Sequence, residues 1–190
     1  MQGVFVTGTD TNVGKTVASA VLARSRGWGY WKPIQTGPES DTAEVARLAG
    51  CPVHDAGVRL PDPVSPHLAA RLAGTQIRLQ DLPFPKGEWV VEGAGGVLVP
   101  VNERETMLDL MTMLALPVVV VARSTLGTIN HTLLTLAALR GRGLKLEKVV
   151  MVGEPNGENR AAIVEFGKIA VDVLPWLHRL TPEALRTHVL

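Results

Sequence analysis

The chain has 190 residues, 19 Lys+Arg against 18 Asp+Glu, 46% hydrophobic and 4% aromatic content, and one cysteine. A length of roughly 100–200 residues suits a single core, and a domain of about 150 residues buries about 70% of its unfolded surface, so the expectation is a folded domain rather than a disordered chain. Near-neutral charge supplies no basic field for a nucleic-acid backbone, the few aromatics supply no stacking platform, and one cysteine makes no internal disulfide.

The N-terminal MQGVFVTGTD lacks the charged and long apolar regions of a signal peptide. The longest apolar run, Leu114 to Ala122, is interrupted by Pro117 and falls well short of the ~18 residues of a membrane span. The expectation is a cytoplasmic protein that engages neither nucleic acid nor membrane. A chain this short holds a nucleotide or a substrate readily, but walls in both with difficulty.

In chain order, Val4 to Thr7 reads as a strand, followed by a Gly-containing loop and a helix from Lys15 to about Arg26 with Val17, Ala20, Val21 and Ala23 inward. Trp28 to Pro33 reads as a strand, Asp41 to Ala49 as a helix stopped by Gly50, and Cys51 to Val64 as loop. Ser65-Pro66 opens a short helix. Glu88 to Glu92 is a strand pattern running into Gly93-Ala94-Gly95-Gly96. Thr106 to Leu114 reads as helix and Pro117 to Ala122 as a strand buried on both faces. Thr128 to Leu139 is helical, Val149 to Val152 a strand, and the last forty residues carry a helix near Asn159 to Phe166, a strand near Ile169 to Leu174 and a short helix after Thr181. This alternation predicts one α/β domain over residues 1–190, a mainly parallel sheet with helices on both faces.

Gly8-Thr9-Asp10-Thr11-Asn12-Val13-Gly14-Lys15-Thr16 places five residues between the first glycine and GKT, one more than the usual phosphate loop. It follows a strand and opens an amphipathic helix, the context in which backbone N–H groups and a helix N-terminus close on phosphate. Lys15 is then the β/γ-phosphate lysine and Thr16 an Mg²⁺ ligand. Such a metal needs carboxylates from elsewhere. Glu92 is the first candidate, because its strand should lie beside the first one and end at the same sheet edge; the plain alternative is a surface carboxylate. Asp41 is the second, against a simple helix first-turn role.

Thr7 to Thr16, Tyr30-Trp31-Lys32-Pro33, Val90 to Gly96, Leu126-Gly127-Thr128-Ile129-Asn130-His131 and Pro175-Trp176-Leu177 occur in an order that resembles the dethiobiotin synthetase family from end to end. The resemblance implies a P-loop NTPase-type fold and an Mg²⁺- and ATP-dependent ligase. Such enzymes close the ureido ring of dethiobiotin from 7,8-diaminopelargonate and CO₂, in biotin biosynthesis.

By the same resemblance Lys32, with Lys15 and Thr11, is catalytic, against an exposed strand-end lysine. Thr16, Asp41 and Glu92 form the metal set. Asn12, Val13, Gly14 and Val17 belong to the nucleotide site with Lys15 and Thr16, and Gly93, Ala94 and Gly95 approach the nucleotide or the diamine closely enough to exclude side chains. Pro175, Trp176, Leu177 and Glu183 border the adenine, although Trp176 reads equally as a core aromatic. Thr36 is a hydroxyl donor to the substrate. Gly127, Thr128 and Asn130 receive its carboxylate tail across the interface of a homodimer with composite sites; the alternative is an ordinary capped helix.

Relative to that family, Asn12 stands where Glu is common, Gly153-Glu154-Pro155 where an adenine-binding Asn is usual, and the chain is trimmed near Arg26–Trp28 and Gly37–Asp41. Cys51, His54, His67 and His131 lack the spacing of a metal site or triad and read as structural. The competing functions are an ATP switch of the partition or septum-positioning type, a cobyrinic acid amidase-like ligase, and a nucleotide-binding relative without catalysis. The first normally carries an extra lysine where Thr9 and Asp10 stand. The second needs a glutaminase domain for which there is no room.

Overall fold

Alternate residues of the central strands face opposite ways and feed two separate cores, which is what a doubly covered parallel sheet requires. The computed structural model describes residues 1–190. Its elements are β1 (Gln2–Gly8), α1 (Lys15–Arg26), β2 (Gly29–Trp31), β3 (Ile34–Thr36), α2 (Asp41–Ala49), β4 (Val53–His54), β5 (Val58–Leu60), α3 (Pro66–Leu72), β6 (Glu88–Gly96), α4 (Met107–Leu114), β7 (Val118–Arg123), α5 (Thr128–Gly141), β8 (Leu146–Val152), α6 (Gly157–Gly167), β9 (Val171–Leu174) and α7 (Pro182–Leu185). Seven strands pair in the order β4-β2-β6-β1-β7-β8-β9, and each pairing is parallel.

Val4, Val6, Val90, Val119, Val121 and Val150 pack with α1 and α2 in one cluster of 20 buried residues. Phe5, Val91, Val118, Val120 and Met151 pack with α3 to α6 in another of 26. The β7 run VVVVAR is thus apolar on consecutive residues because both of its faces are covered. No helix is long and apolar enough to cross a membrane.

Helix ends follow local chemistry. Ser40 caps α2 by accepting the Ala43 N–H at 3.2 Å, and Gly27 and Gly50 end α1 and α2 in the left-handed region that glycine adopts without steric cost. The α4 start is a capping box: Asp109 accepts from the Thr106 N–H at 2.7 Å and the Thr106 hydroxyl at 2.8 Å, and Arg142 donates to its other oxygen at 2.9 Å. The Thr106 N–H is the largest influence holding the Asp109 carboxyl below the ordinary aspartate value.

A depressed folded-state pKa gives stability that is complete above the unfolded value of about 3.9 and fades as pH falls below it. Asp109→Ala is therefore expected to cost about 1 kcal/mol in urea denaturation at neutral pH. The gap from the unmutated protein should narrow below about pH 4, and a pH-independent gap would contradict this origin.

The expectation of loop from Cys51 to Val64 is corrected. Val53–His54 extends the main sheet beside β2, and Val58–Leu60 pairs with Ile34–Thr36 in a small second parallel sheet. Strands of two or three residues carry no periodicity to read. The turn between them is drawn tight: a Cβ on Gly57 would lie 2.5 Å from the Pro33 carbonyl oxygen.

Candidate active site

Strand register builds the site. Val6 pairs with Glu92, and Trp31 pairs with Val91, so the next residue, Lys32, comes level with Glu92 at the carboxyl ends of adjacent strands. β1 ends there too, and its phosphate loop leads into α1, while α2 starts on the same side and brings Asp41 in its first turn. Open parallel sheets bind ligands at this edge, where strand order reverses around the first strand.

From Asn12 to Val17, six consecutive backbone N–H groups have no acceptor in the protein. Buried or half-buried N–H groups rarely go unpaired, and a run of them ahead of a helix is a nest for an anion. Asn12 sits at φ 57 and Gly14 at φ 93. Asparagine enters the left-handed region more easily than glutamate, so the residue that departs from the family suits its backbone. Lys15 folds over the loop and donates to the Asp10 carbonyl at 2.9 Å. Burial holds its ammonium below the ordinary lysine value, against the attraction of Glu92.

Lys32 stands between two carboxylates. Its side chain is 7% exposed, it donates to Glu92 Oε1 at 3.0 Å, and it pairs with Asp41 Oδ2. Thr16 Oγ1 lies 2.8 Å from Asp41 Oδ1 and 3.4 Å from Glu92 Oε1. Glu92 itself is 1% exposed and accepts from the Tyr30 hydroxyl at 3.0 Å through Oε2. Burial alone would lower the Lys32 pKa, but Glu92 and Asp41 outweigh it and hold it above the ordinary value. Asp41 is the mirror case: burial would raise it, and Lys32 holds it low. Burial, reinforced by the Glu92 charge, raises the Tyr30 phenol well above its ordinary value, so it stays a hydrogen donor.

Neither a surface carboxylate at Glu92 nor a solvent-exposed lysine at Lys32 describes these positions. The two carboxylates and the Thr16 hydroxyl form a convergent set of hard oxygen donors, the kind that holds Mg²⁺ when phosphate oxygens and water complete the octahedron.

These groups open into a cleft of about 840 Å³, which Thr11, Asn12, Thr36, Ala94, Gly95 and Trp176 also line. Trp176 is 61% exposed, so it is not a core aromatic. A wider depression of about 1270 Å³ beside Arg71, Arg78 and Arg104 contains no buried ionisable group.

Val13, Gly93, Pro175, Leu177 and Glu183 do not line the cleft. Packing by itself already requires glycine at 93: a Cβ there would meet Phe5 at 2.9 Å and Met107 at 3.3 Å. Gly127, Thr128 and Asn130 also lie outside the cleft of the single chain. Thr128 is buried, while Gly127 and Asn130 are exposed. Gly153, at the end of β8, sits at φ 126 and has no side chain, so no side-chain amide reaches a base from that position. Sequence reasoning missed Tyr30 as part of the site; its place two residues before a strand-end lysine was the available signal.

Comparison with known proteins now separates the competing readings. A family profile described as an AAA domain matches residues 2–184. The chain is 56% identical to the ATP-dependent dethiobiotin synthetase BioD of Paramagnetospirillum magneticum over 176 residues, 90% of this chain and 86% of that protein. Against the protein of the same name from Sphingopyxis alaskensis it is 46% identical over 188 residues, 97% and 93% of the two chains. It is also 51% identical over 178 residues to the biotin biosynthesis bifunctional protein BioCD of Bordetella avium, covering 90% of this chain and 38% of that one.

Among solved structures, the MinC:MinD cell division protein complex of Aquifex aeolicus superposes with a TM-score of 0.53 at 13% identity, covering 98% of this chain and 86% of that one, a likeness of fold alone. High identity across nearly the whole length, joined to the phosphate loop and its lysine–carboxylate cluster, places this chain in the dethiobiotin synthetase family.

Proposed function

We propose that the chain is an ATP-dependent dethiobiotin synthetase that joins 7,8-diaminopelargonate and CO₂ with ATP hydrolysed to ADP and phosphate. The observation that carries this reading is Lys32, a second buried lysine placed beside the phosphate-loop lysine and held by two carboxylates. A switch of the partition type places its second lysine within the phosphate loop, where this chain has Thr9 and Asp10, whereas Lys32 enters from the end of a neighbouring strand, where it can neutralise a second developing charge.

In the proposed reaction one substrate amine adds to CO₂ and loses a proton, giving a carbamate. A carbamate oxygen attacks the γ-phosphorus and the bond to ADP breaks. The second amine then attacks the carbonyl carbon, and the C–O bond to phosphate breaks as the ring closes. Lys15 and the free N–H groups from Asn12 to Val17 hold the phosphates, and Thr11 lies at the cleft side of that loop. Lys32 neutralises the carbamate and the transferred group. Thr16, Asp41 and Glu92 would hold Mg²⁺, which would supply charge neutralisation for the phosphates. Thr36 borders the substrate, and the exposed Trp176 gives the base an apolar face.

The substrate site is completed by a second copy of the chain. The N–H groups of Ile129 and Asn130 at the start of α5 have no acceptor, which suits a carboxylate. Leu126, 98% exposed, adjoins them, and Leu134 lies exposed further along the same helix. A homodimer by sedimentation, losing activity on dilution to monomer, is the expected result; a monomer fully active at high dilution would contradict the composite site.

The function is tested by phosphate release from ATP, which should require the diamine and bicarbonate together. Equal release without the diamine would instead support the switch reading.

A further inference from the structure

We propose that Tyr30 is a positioning residue for Glu92: its phenol fixes the inward carboxylate oxygen and turns the other one to the cleft, as a one-oxygen ligand for a divalent cation. This rests on the assignment of Glu92 to the metal set under the proposed function.

The two oxygens of Glu92 have separate partners. Oε2 accepts only from Tyr30, at 3.0 Å, whereas Oε1 faces Lys32 and Thr16 at 3.0 and 3.4 Å. The strands dictate this division. Tyr30 pairs with Val90, and side chains two residues apart on a strand share a face, so the phenol reaches diagonally to Glu92. Tyr30 is wholly buried in the cluster that contains Val4, Val45 and Val90, which removes its freedom to turn elsewhere. Mg²⁺ demands a near-octahedral shell at short distances and keeps several waters. With Oε2 turned inward onto the buried phenol, only Oε1 faces the cleft, and a single oxygen is the geometry that small shell accepts. Partners of this kind orient metal ligands and set their affinity.

Tyr30→Phe keeps the ring and removes only the hydroxyl. The readout is Mn²⁺ binding to the protein with a non-hydrolysable ATP analogue, followed by loss of the free-Mn²⁺ paramagnetic resonance signal. Tyr30→Phe should weaken Mn²⁺ about tenfold, and Glu92→Gln by more. If Glu92→Gln weakens binding and Tyr30→Phe does not, the positioning role is overturned while the metal assignment stands. If Glu92→Gln leaves binding unchanged, the metal assignment fails and the positioning role with it.

The chain has one tyrosine, so the unmutated protein labelled with ¹³C at the tyrosine ring gives a single phenol-carbon resonance. This resonance should move when Mg²⁺ joins the protein–analogue complex. Its failure to move would overturn the proposal even if Tyr30→Phe does not fold.

Discussion

Lys32→Ala should lower the rate of diamine-dependent phosphate release by about 10²–10³-fold, the usual consequence of deleting a preorganised charge donor from a water-poor site. It should also destabilise the free protein. Lys32 is the cation between Asp41 and Glu92, and its removal takes from Glu92, 1% exposed, the only ammonium bonded to it. Breaking a buried pair from one side costs about 3–5 kcal/mol, more than the intact pair is worth. Denaturation in EDTA would show this as a lower urea midpoint. Lys32→Arg is not a conservative change, because it replaces a compact ammonium between the two carboxylates with a planar fork of donors. A Lys32→Ala protein that keeps near-normal turnover would remove the second lysine from the chemistry and leave only a nucleotide-binding domain.

Lys15→Ala should separate binding from chemistry. The six unpartnered N–H groups from Asn12 to Val17 stay in place after the substitution, so the variant should still bind ATP. One charge-assisted hydrogen bond is worth about 1.5–3 kcal/mol, which is about 10–10²-fold in nucleotide affinity. Turnover should fall further, by about 10²–10³-fold, because the charge that develops on the transferred phosphoryl loses one of the two lysines that face it. Calorimetric binding beside single-turnover kinetics distinguishes the two effects. Equal losses in both would mean that Lys15 contributes only to ground-state binding.

Much of this site is legible in the chain itself, for a physical reason. A strand ending in a glycine loop and a helix must point its N–H groups past the sheet edge, and an apolar strand ending in Glu92 must bring that carboxylate to the same edge if it pairs with the first. The observed register of β1 and β6 does this. The helix boundaries at Lys15–Arg26 and Asp41–Ala49 were equally readable, because capping and glycine stops are local.

What escaped reading is what pairing alone decides. β3, β4 and β5 are too short for periodicity and exist through their neighbours. The reason for Gly93 lies in Phe5, far away in sequence. The role of Tyr30 depends on which side of β2 faces α2, a fact invisible in a three-residue strand.

Tracing an oxygen atom tests the central claim most directly. When the enzyme turns over the diamine and ATP with ¹⁸O-labelled CO₂, one labelled oxygen should appear in the released phosphate per ring closed, because the carbamate oxygen that attacks phosphorus leaves with it. Phosphate that carries oxygen from solvent water instead, formed whether or not the diamine is present, would show ordinary ATP hydrolysis and contradict the account.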